Sequence, residues 1–527
     1  MNHFKSIEEV LSSDFALVTD GYRESEKTDR VLKSTKIEQV IYDDLCSDCT
    51  ELQSYKTQGK EKLKTFESLV NDVFQSIYGL TPKYTDENRM SALSKSFNKG
   101  ILEELMSEDI YTSIKDVCEG KELPSIGATE EFTEKLLENL DSIMNKASNG
   151  KGKAEALSEI EASKAALLSQ ISELLKKRDR LPESQKEQID KKIVGKANSF
   201  MSKNEQMQMF AKLIENGIKQ NRGSIRQAIS MSASAALERA DEIKNIVLAW
   251  GDAGEQMQKS EINTEILKRT AKSRNLRYIA KFLGRYKEIL NSKRLAGYIY
   301  GRGEKYDLEY GNNISKAITS ELVMLSRPEM VPLFIKKYQN KSLRQYRKRE
   351  PEYKGKGDII VCLDESGSTF GEKNAYGMAI AMVLYEICKV NNTNFAIVHF
   401  SDITRTETFA KNCRPPIETV LNCCESFLGG GTDFDNVLIT VNELLCSNTF
   451  DKPDVVFITD GISDVSEKVL NDFKEIKDKT GMKLTGILLD KGECIEFTLK
   501  KFADSIYRTS ELTNEQIVES IIDTRIN

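Results

Sequence analysis

A chain of 527 residues is too long for one ordinary hydrophobic core, and about three domains are expected. With 39% hydrophobic residues, 30% charged residues and nine prolines, the composition suits extended, solvated helical surface, and a net charge of −6 does not mark a dedicated nucleic-acid binder. Ten cysteines without framework spacing, and an N-terminal MNHFKSIEEVLSSDF with no apolar stretch flanked by positive charge, point to reduced thiols in the cytosol rather than to secretion.

Residues 1 to about 350 read as helical. Leu157, Ile160, Leu167, Leu168, Ile171, Leu174 and Leu175 keep a helical spacing, with Ser, Glu and Lys between them. Pro182 should end or kink that helix, a further helix is expected from Ser184 towards Val194, and an Ala-rich one from Ile225 to Trp250. The run SNGKGK at 148–153 divides the helical part into 1–150 and 151–350. Gly297–Asn313, rich in Gly and Tyr, reads as a loop or short hairpin. Helical pattern then returns and closes with the basic stretch Lys336–Arg349, after which Pro351 and KGKG at 354–357 mark a boundary.

From 355 to 527 the pattern alternates between strands and helices. Residues 359–363, 395–400, 455–459 and 484–489 are short, branched, nearly all-apolar runs, as in strands buried on both faces of a parallel sheet. Ala375–Val390, Asp435–Cys446 and Val465–Lys479 read as the helices between them. The expected fold class is therefore α + α/β, an all-helical N-terminal region followed by a doubly wound, Rossmann-like α/β domain. In such a sheet the ligand sits beyond the carboxyl ends of the strands. The longest apolar stretch, Gly377–Tyr385, is far short of the roughly 20 residues of a membrane-spanning helix.

Chemistry gathers at three predicted strand ends. The first strand runs into Asp364-Glu365-Ser366-Gly367-Ser368, whose alternate positions put a carboxylate and two hydroxyls on one side of the emerging chain. Gly429-Gly430-Gly431 lets the backbone approach closely and delivers Thr432, and a third strand end supplies Thr459-Asp460-Gly461. Hard oxygen donors of this kind suit Mg²⁺, or Mn²⁺ or Ca²⁺, and not zinc. With only His3 and His399 in the chain, a histidine-based metal site is not expected, and neither is a Ser-His-Asp or Cys-His catalytic set.

The trio of Asp-x-Ser-x-Ser, a Thr after a Gly-rich loop, and Thr-Asp-Gly resembles the metal-ion-dependent adhesion site of von Willebrand factor A (VWA) domains. The resemblance implies Ser366, Ser368 and Thr432 as direct ligands, Asp364 and Asp460 in supporting roles often through water, and one coordination position open to a partner's Glu or Asp. Glu365 stands where the family often has Thr or another small residue. It either points away or competes for the open position. Upstream, WGDAGE at 250–255, LGRYKE at 283–288 and residues 320–346 resemble the ViaA/CoxE-like group. These bacterial proteins pair a helical region with a C-terminal VWA domain and usually work with a MoxR-type AAA+ ATPase.

The function implied is a non-enzymatic, metal-dependent adaptor that couples such an ATPase to a client protein offering an acidic residue to the metal, and helps remodel or mature that client. The competing readings are a metal-dependent phosphohydrolase and a VWA protein that binds RNA or anionic lipid. Lys336, Lys337, Lys341, Arg344, Arg347, Lys348 and Arg349 form the candidate anionic-partner patch, against a solvated helix face as the plainer reading. Nucleic acid is not the expected partner, and the expected location is cytoplasmic, with peripheral contact at the inner face of the membrane. No G-x-x-x-x-G-K-[ST] motif occurs, so the chain has no nucleotide loop of that kind. The lone Cys46-x-x-Cys49 pair reads as incidental, and Cys423-Cys424 as helix packing.

Overall fold

The computed structural model describes residues 3–13, 27–148, 152–180, 182–251, 257–300, 305–312, 314, 317–348, 357–413, 415–447, 449–450, 453–461, 463–489 and 498–526. The chain forms two compact units, one of residues 1–247 with 252–265, the other of 248–251 with 266–527.

Among its described residues the first unit is helical apart from a two-residue antiparallel pairing of β1 (Leu32–Lys33) with β2 (Lys83–Tyr84) and an isolated bridge between Thr28 and Met90. Its helices begin where the sequence supplies caps. Thr35 and Glu38 close a capping box at the start of Lys36–Asp48, satisfying backbone N–H groups that the helix leaves unpaired. The Leu157–Leu175 stripe lies on a helix of Lys153–Arg178, and Pro182 caps the next helix. That helix continues to Gln220, well past Val194, because Ile193, Ala197, Phe200, Ile214 and Ile218 keep an apolar stripe buried along its length. The division expected near residue 150 does not split the core. Phe66, Phe74, Phe97 and Phe132 pack in one cluster with Ala154, Leu157, Ile214, Ile225 and Ala240. The middle of the SNGKGK run, residues 149–151, lies outside the described residues.

Lys164 is a half-buried cation of this unit whose surroundings disfavour its charge. Lys164 donates to Asn204 Oδ1, lies 3.6 Å from Met207 Sδ and sits 5.0 Å over the Phe200 ring. Burial, with the Lys27 charge nearby, pulls its pKa down to about 8. The folded state therefore holds this proton less tightly than the unfolded chain does. Between about pH 8 and the ordinary lysine value the unfolded state binds more protons, so stability rises with pH through that window and the penalty is complete below it. Lys164→Met should stabilise the unit at neutral pH and flatten this rise. Urea midpoints across that range check it, and an unchanged slope would contradict it.

The second unit holds a six-stranded sheet, with two further strands pairing apart from it. β3 (Lys305–Gly311) and β4 (Leu343–Lys348) form an antiparallel pair. The sheet consists of β5 (Ile359–Asp364), β6 (Phe395–Phe400), β7 (Thr404–Phe409), β8 (Asp454–Thr459), β9 (Leu484–Leu488) and β10 (Ser505–Arg508), in the order β10-β9-β8-β5-β6-β7. All pairings are parallel except β6 with β7. β5 and β6 are buried at every position, as their nearly all-apolar sequences dictate, with Asp364 and His399 the buried exceptions. Helices Glu372–Asn391, Phe434–Cys446 and Glu467–Thr480 match the three expected crossovers within a few residues. The chain leaves β5 for β6 on one side and β8 lies on the other, so strand order reverses at β5.

Two features differ from the sequence reading. The compact unit does not begin at 355, because helix Arg274–Tyr300 belongs to it. Leu276, Ile279, Leu283, Tyr286 and Leu290 are buried at helical spacing, and Phe282 and Tyr286 meet the Tyr376 ring edge-on at 6.0 and 6.2 Å. The basic stretch is not one helix face. Lys336 and Lys337 end the helix Val331–Gln339, Lys341 lies in the turn at φ 52°, and Arg344 is on β4, where Leu343 and Gln345 alternate inward. Pairing with β3 is what draws this polar run into a strand. Lys337 is spent on the buried Glu321 at 3.0 Å. The side chains of Arg347 and Lys348, and all of Arg349, lie outside the described residues. Among the described residues no helix is long and apolar enough to cross a membrane.

Candidate metal centre

The carboxyl end of β5 places Asp364 beneath the turn that follows it. Asp364 Oδ1 accepts the Ser366 N–H at 2.9 Å and Oδ2 accepts the Thr459 hydroxyl from the end of β8. Thr459 Oγ1 in turn accepts the Gly461 N–H at 3.0 Å, so the two strand ends are locked to each other. Burial pushes the Asp364 carboxyl above its ordinary value, against the hydrogen bonds from Thr459 and Ser366 that hold it down. A cation beside it would offset that penalty.

The hydroxyls follow. Ser366 Oγ and Ser368 Oγ lie 3.1 Å apart, and Ser368 donates to Asp460 Oδ1 at 2.7 Å. A methyl group placed on Gly461 would meet Thr432 Oγ1 at 3.3 Å and Asp364 Oδ2 at 3.6 Å, so both oxygens face that glycine. The structure thus joins Asp364, Ser366, Ser368 and Asp460 in one hydrogen-bonded cluster and turns Thr432 towards it. Adjacent oxygens around Mg²⁺ lie about 3 Å apart when each is roughly 2.0–2.1 Å from the ion, a spacing the two serines already have. Neutral hydroxyls over two carboxylates are the donors a hard divalent cation prefers.

The glycine loop owes its path to residues that the sequence did not point to. Asp402, just beyond β6, accepts the Gly431 N–H at 2.9 Å, and a Cβ at Gly430 or Gly431 would strike its carboxylate at 2.6 or 2.5 Å. Gly430 O accepts the Gly367 N–H at 2.9 Å, which joins this loop to the serine turn. Asp433 then caps the helix Phe434–Cys446, accepting the Asp435 N–H at 2.9 Å, and so fixes the residue after Thr432. Lys373, on the first turn of the helix after the serines, pairs with Asp460 Oδ2. A divalent ion that uses Asp460 shares or displaces this ammonium. Nothing in the spacing of the sequence announced either Asp402 or Lys373.

Glu365 takes the first of its two expected courses and points away. Its carboxylate is buried, with Oε1 2.6 Å from His399 Nδ1 and Oε2 accepting the Leu428 N–H at 3.0 Å. His399 Nε2 lies 3.4 Å from Cys423 Sγ. A Cys-His arrangement was not expected from the sequence, but the chain has one, because helix Ile417–Glu425 lays Cys423 over the end of β6. Cys423 is 1% exposed and His399 and Glu365 are 0% exposed, which bars substrate from the thiol. Elsewhere Cys46 and Cys49 are free thiols, and Lys56 lies 3.4 Å from Cys46 Sγ.

The rim around the serines is apolar as well as polar. Phe370 is 76% exposed and meets Phe427 edge-on, with ring centroids 5.3 Å apart.

No family model matches the chain. An uncharacterized protein of Methanocaldococcus jannaschii is 24% identical over 304 residues, 58% of this chain and 68% of that protein, a match longer than the whole of 355–527. A VWFA domain-containing protein of Acidianus two-tailed virus is 26% identical over 252 residues, 44% of this chain and 26% of its own length. The regulatory protein ViaA of Proteus mirabilis is 23% identical over 183 residues, 32% of this chain and 37% of that protein. The chain thus spans about two thirds of the archaeal relative and well under half of the other two.

Proposed function

We propose that this ViaA-like chain, with its VWA domain, is a metal-dependent protein-interaction adaptor, and that it acts without an enzymatic activity of its own. The observation that carries the reading is the convergence of Asp364, Ser366, Ser368, Thr432 and Asp460 at the carboxyl end of the two central strands β5 and β8, with the serine turn kept in place by the Gly367–Gly430 bond and Ser368 exposed. These residues would hold a divalent cation, with Mg²⁺ the ion their hard oxygens favour. Bound there, the ion supplies a positive centre that attracts a further carboxylate. Ser366 and Ser368 would orient the ion, Asp364 and Asp460 would offset its charge, and Asp402 would hold the loop that carries Thr432.

Support for a binding role over hydrolysis comes from how the nearby carboxylates are engaged. Asp364 is tied to Thr459 and Ser366, Asp460 to Ser368 and Lys373, Asp402 to Gly431 and Asp433 to the helix start. A general base needs a carboxylate free to take a proton from water. The exposed Phe370–Phe427 pair beside the hydroxyls suits a protein surface.

We further propose a MoxR-type AAA+ ATPase as one partner and an acidic client as the other. A pull-down from cell extract tests this, using full-length wild type and a Ser366→Ala plus Ser368→Ala variant, each with Mg²⁺ or with EDTA. Wild type in Mg²⁺ should retain the ATPase or an acidic client, and the other three samples should lose at least one of them. Equal retention in all four samples would remove the metal from the contact.

A further inference from the structure

We infer that His399, Cys423 and Glu407 form a second metal site, suited to Zn²⁺ or a similar transition-metal ion and separate from the oxygen cluster. β6 and β7 place His399 opposite Arg405, and Glu407, two residues on, shares that face and is within diagonal reach. Helix Ile417–Glu425 brings Cys423 over the same spot, anchored by Arg269 to Glu425 at 2.7 Å and by Asn275 Nδ2 to Cys424 O at 3.0 Å. One nitrogen, one sulfur and one carboxylate oxygen from the three residues all lie within 4.8 Å of one another.

The distances suit a small ion. With Zn–N about 2.0–2.1 Å and Zn–S about 2.3 Å, tetrahedral geometry sets nitrogen and sulfur roughly 3.5 Å apart, and Cys423 Sγ and His399 Nε2 are separated by 3.4 Å. The outer support is also in place. A ligating histidine generally gives its other N–H to a carboxylate, and Glu365 Oε1 sits 2.6 Å from Nδ1. That contact places the Nδ1 proton towards Glu365 and leaves the Nε2 lone pair aimed at the sulfur. Glu365 is itself fixed, accepting from Leu428 N and donating its own N–H to Phe400 O.

The donors also separate this site from the first, since a thiolate and an imidazole select softer ions than hydroxyls and carboxylates do. Burial excludes a substrate, but an ion needs only a narrow path, and Glu407 is 28% exposed. Without metal, Cys423 Sγ and His399 Nε2 share a hydrogen bond. Metal binding forms the metal–sulfur bond and releases that one proton to solvent.

The test uses the full chain, stripped with chelator and titrated with Co²⁺ in excess Mg²⁺, which keeps the oxygen cluster filled. One equivalent should give a thiolate-to-cobalt charge-transfer band with the visible bands of tetrahedral Co²⁺. Cys423→Ser should abolish the charge-transfer band. Glu407→Gln, at a partly exposed strand position that leaves the core intact, should weaken Co²⁺ binding by about tenfold or more, as loss of one of three ligands does. Ser366→Ala plus Ser368→Ala should leave the titration unchanged. The assignment is overturned if wild type shows no charge-transfer band, if the band survives Cys423→Ser, or if Glu407→Gln binds Co²⁺ as wild type does.

Discussion

Phe434→Ala is expected to destabilise the sheet-containing unit by about 3–5 kcal/mol, the usual cost of truncating a large buried aromatic. Phe434 is fully buried and meets the rings of Phe400, Phe457 and Phe502 at 6.1, 5.1 and 6.5 Å, all three near edge-on. A cavity there loses both apolar burial and ring–ring contacts that no neighbour replaces. The position matters for function as well. Phe434 is the first residue of the helix capped by Asp433, two residues after Thr432, so it anchors the loop that carries the predicted ligand. The variant should lose stability and also hold divalent metal more weakly. Trp250 makes this measurable, since it is the sole tryptophan, is buried, and belongs to the same unit. An unfolding free energy from its fluorescence that falls by less than about 1 kcal/mol would contradict the packing argument.

The sheet was largely legible in the sequence, because strands buried on both faces must be apolar throughout. Runs such as IIVCL and FAIVHF admit few other placements. β7 was not legible, since it lies at the sheet edge, and TRTETF, half exposed and polar, carries no such signal. β4 was hidden for the same reason: its basic side chains need no core, and only its partner β3 makes it a strand. Helix Arg274–Tyr300 falls in the part read broadly as helical, although its last turn from Gly297 was read as loop or hairpin, and its membership of the second unit depends on Tyr286 and Phe282 finding Tyr376 nearly a hundred positions later. At the candidate site, spacing identified the oxygen donors, but only two of the three expected strand ends are strands: Asp364 to Ser368 leave β5 and Asp460 leaves β8, whereas Thr432 arrives on a loop between helices Ile417–Glu425 and Phe434–Cys446. It missed Asp402 and Lys373, which act through contacts to backbone and to Asp460. It also misjudged the surroundings of His399. A histidine closing an apolar strand gives no hint that Glu365, Glu407 and Cys423 converge on it.

Metal-dependent stabilisation of the full chain, followed through Trp250, tests the central claim most directly. A ligand that binds only the folded state at about 100 times its Kd adds about 2.7 kcal/mol. Wild type in saturating Mg²⁺ or Mn²⁺ should show a gain of that order, reversed by EDTA. Asp364→Ala removes a buried carboxylate that holds Ser366 and Thr459 in place, and Ser366→Ala plus Ser368→Ala removes two oxygens while keeping that carboxylate. Both variants should fold and neither should gain stability from the metal. A wild-type gain that persists undiminished in both would show that the cation binds elsewhere, and would contradict the account.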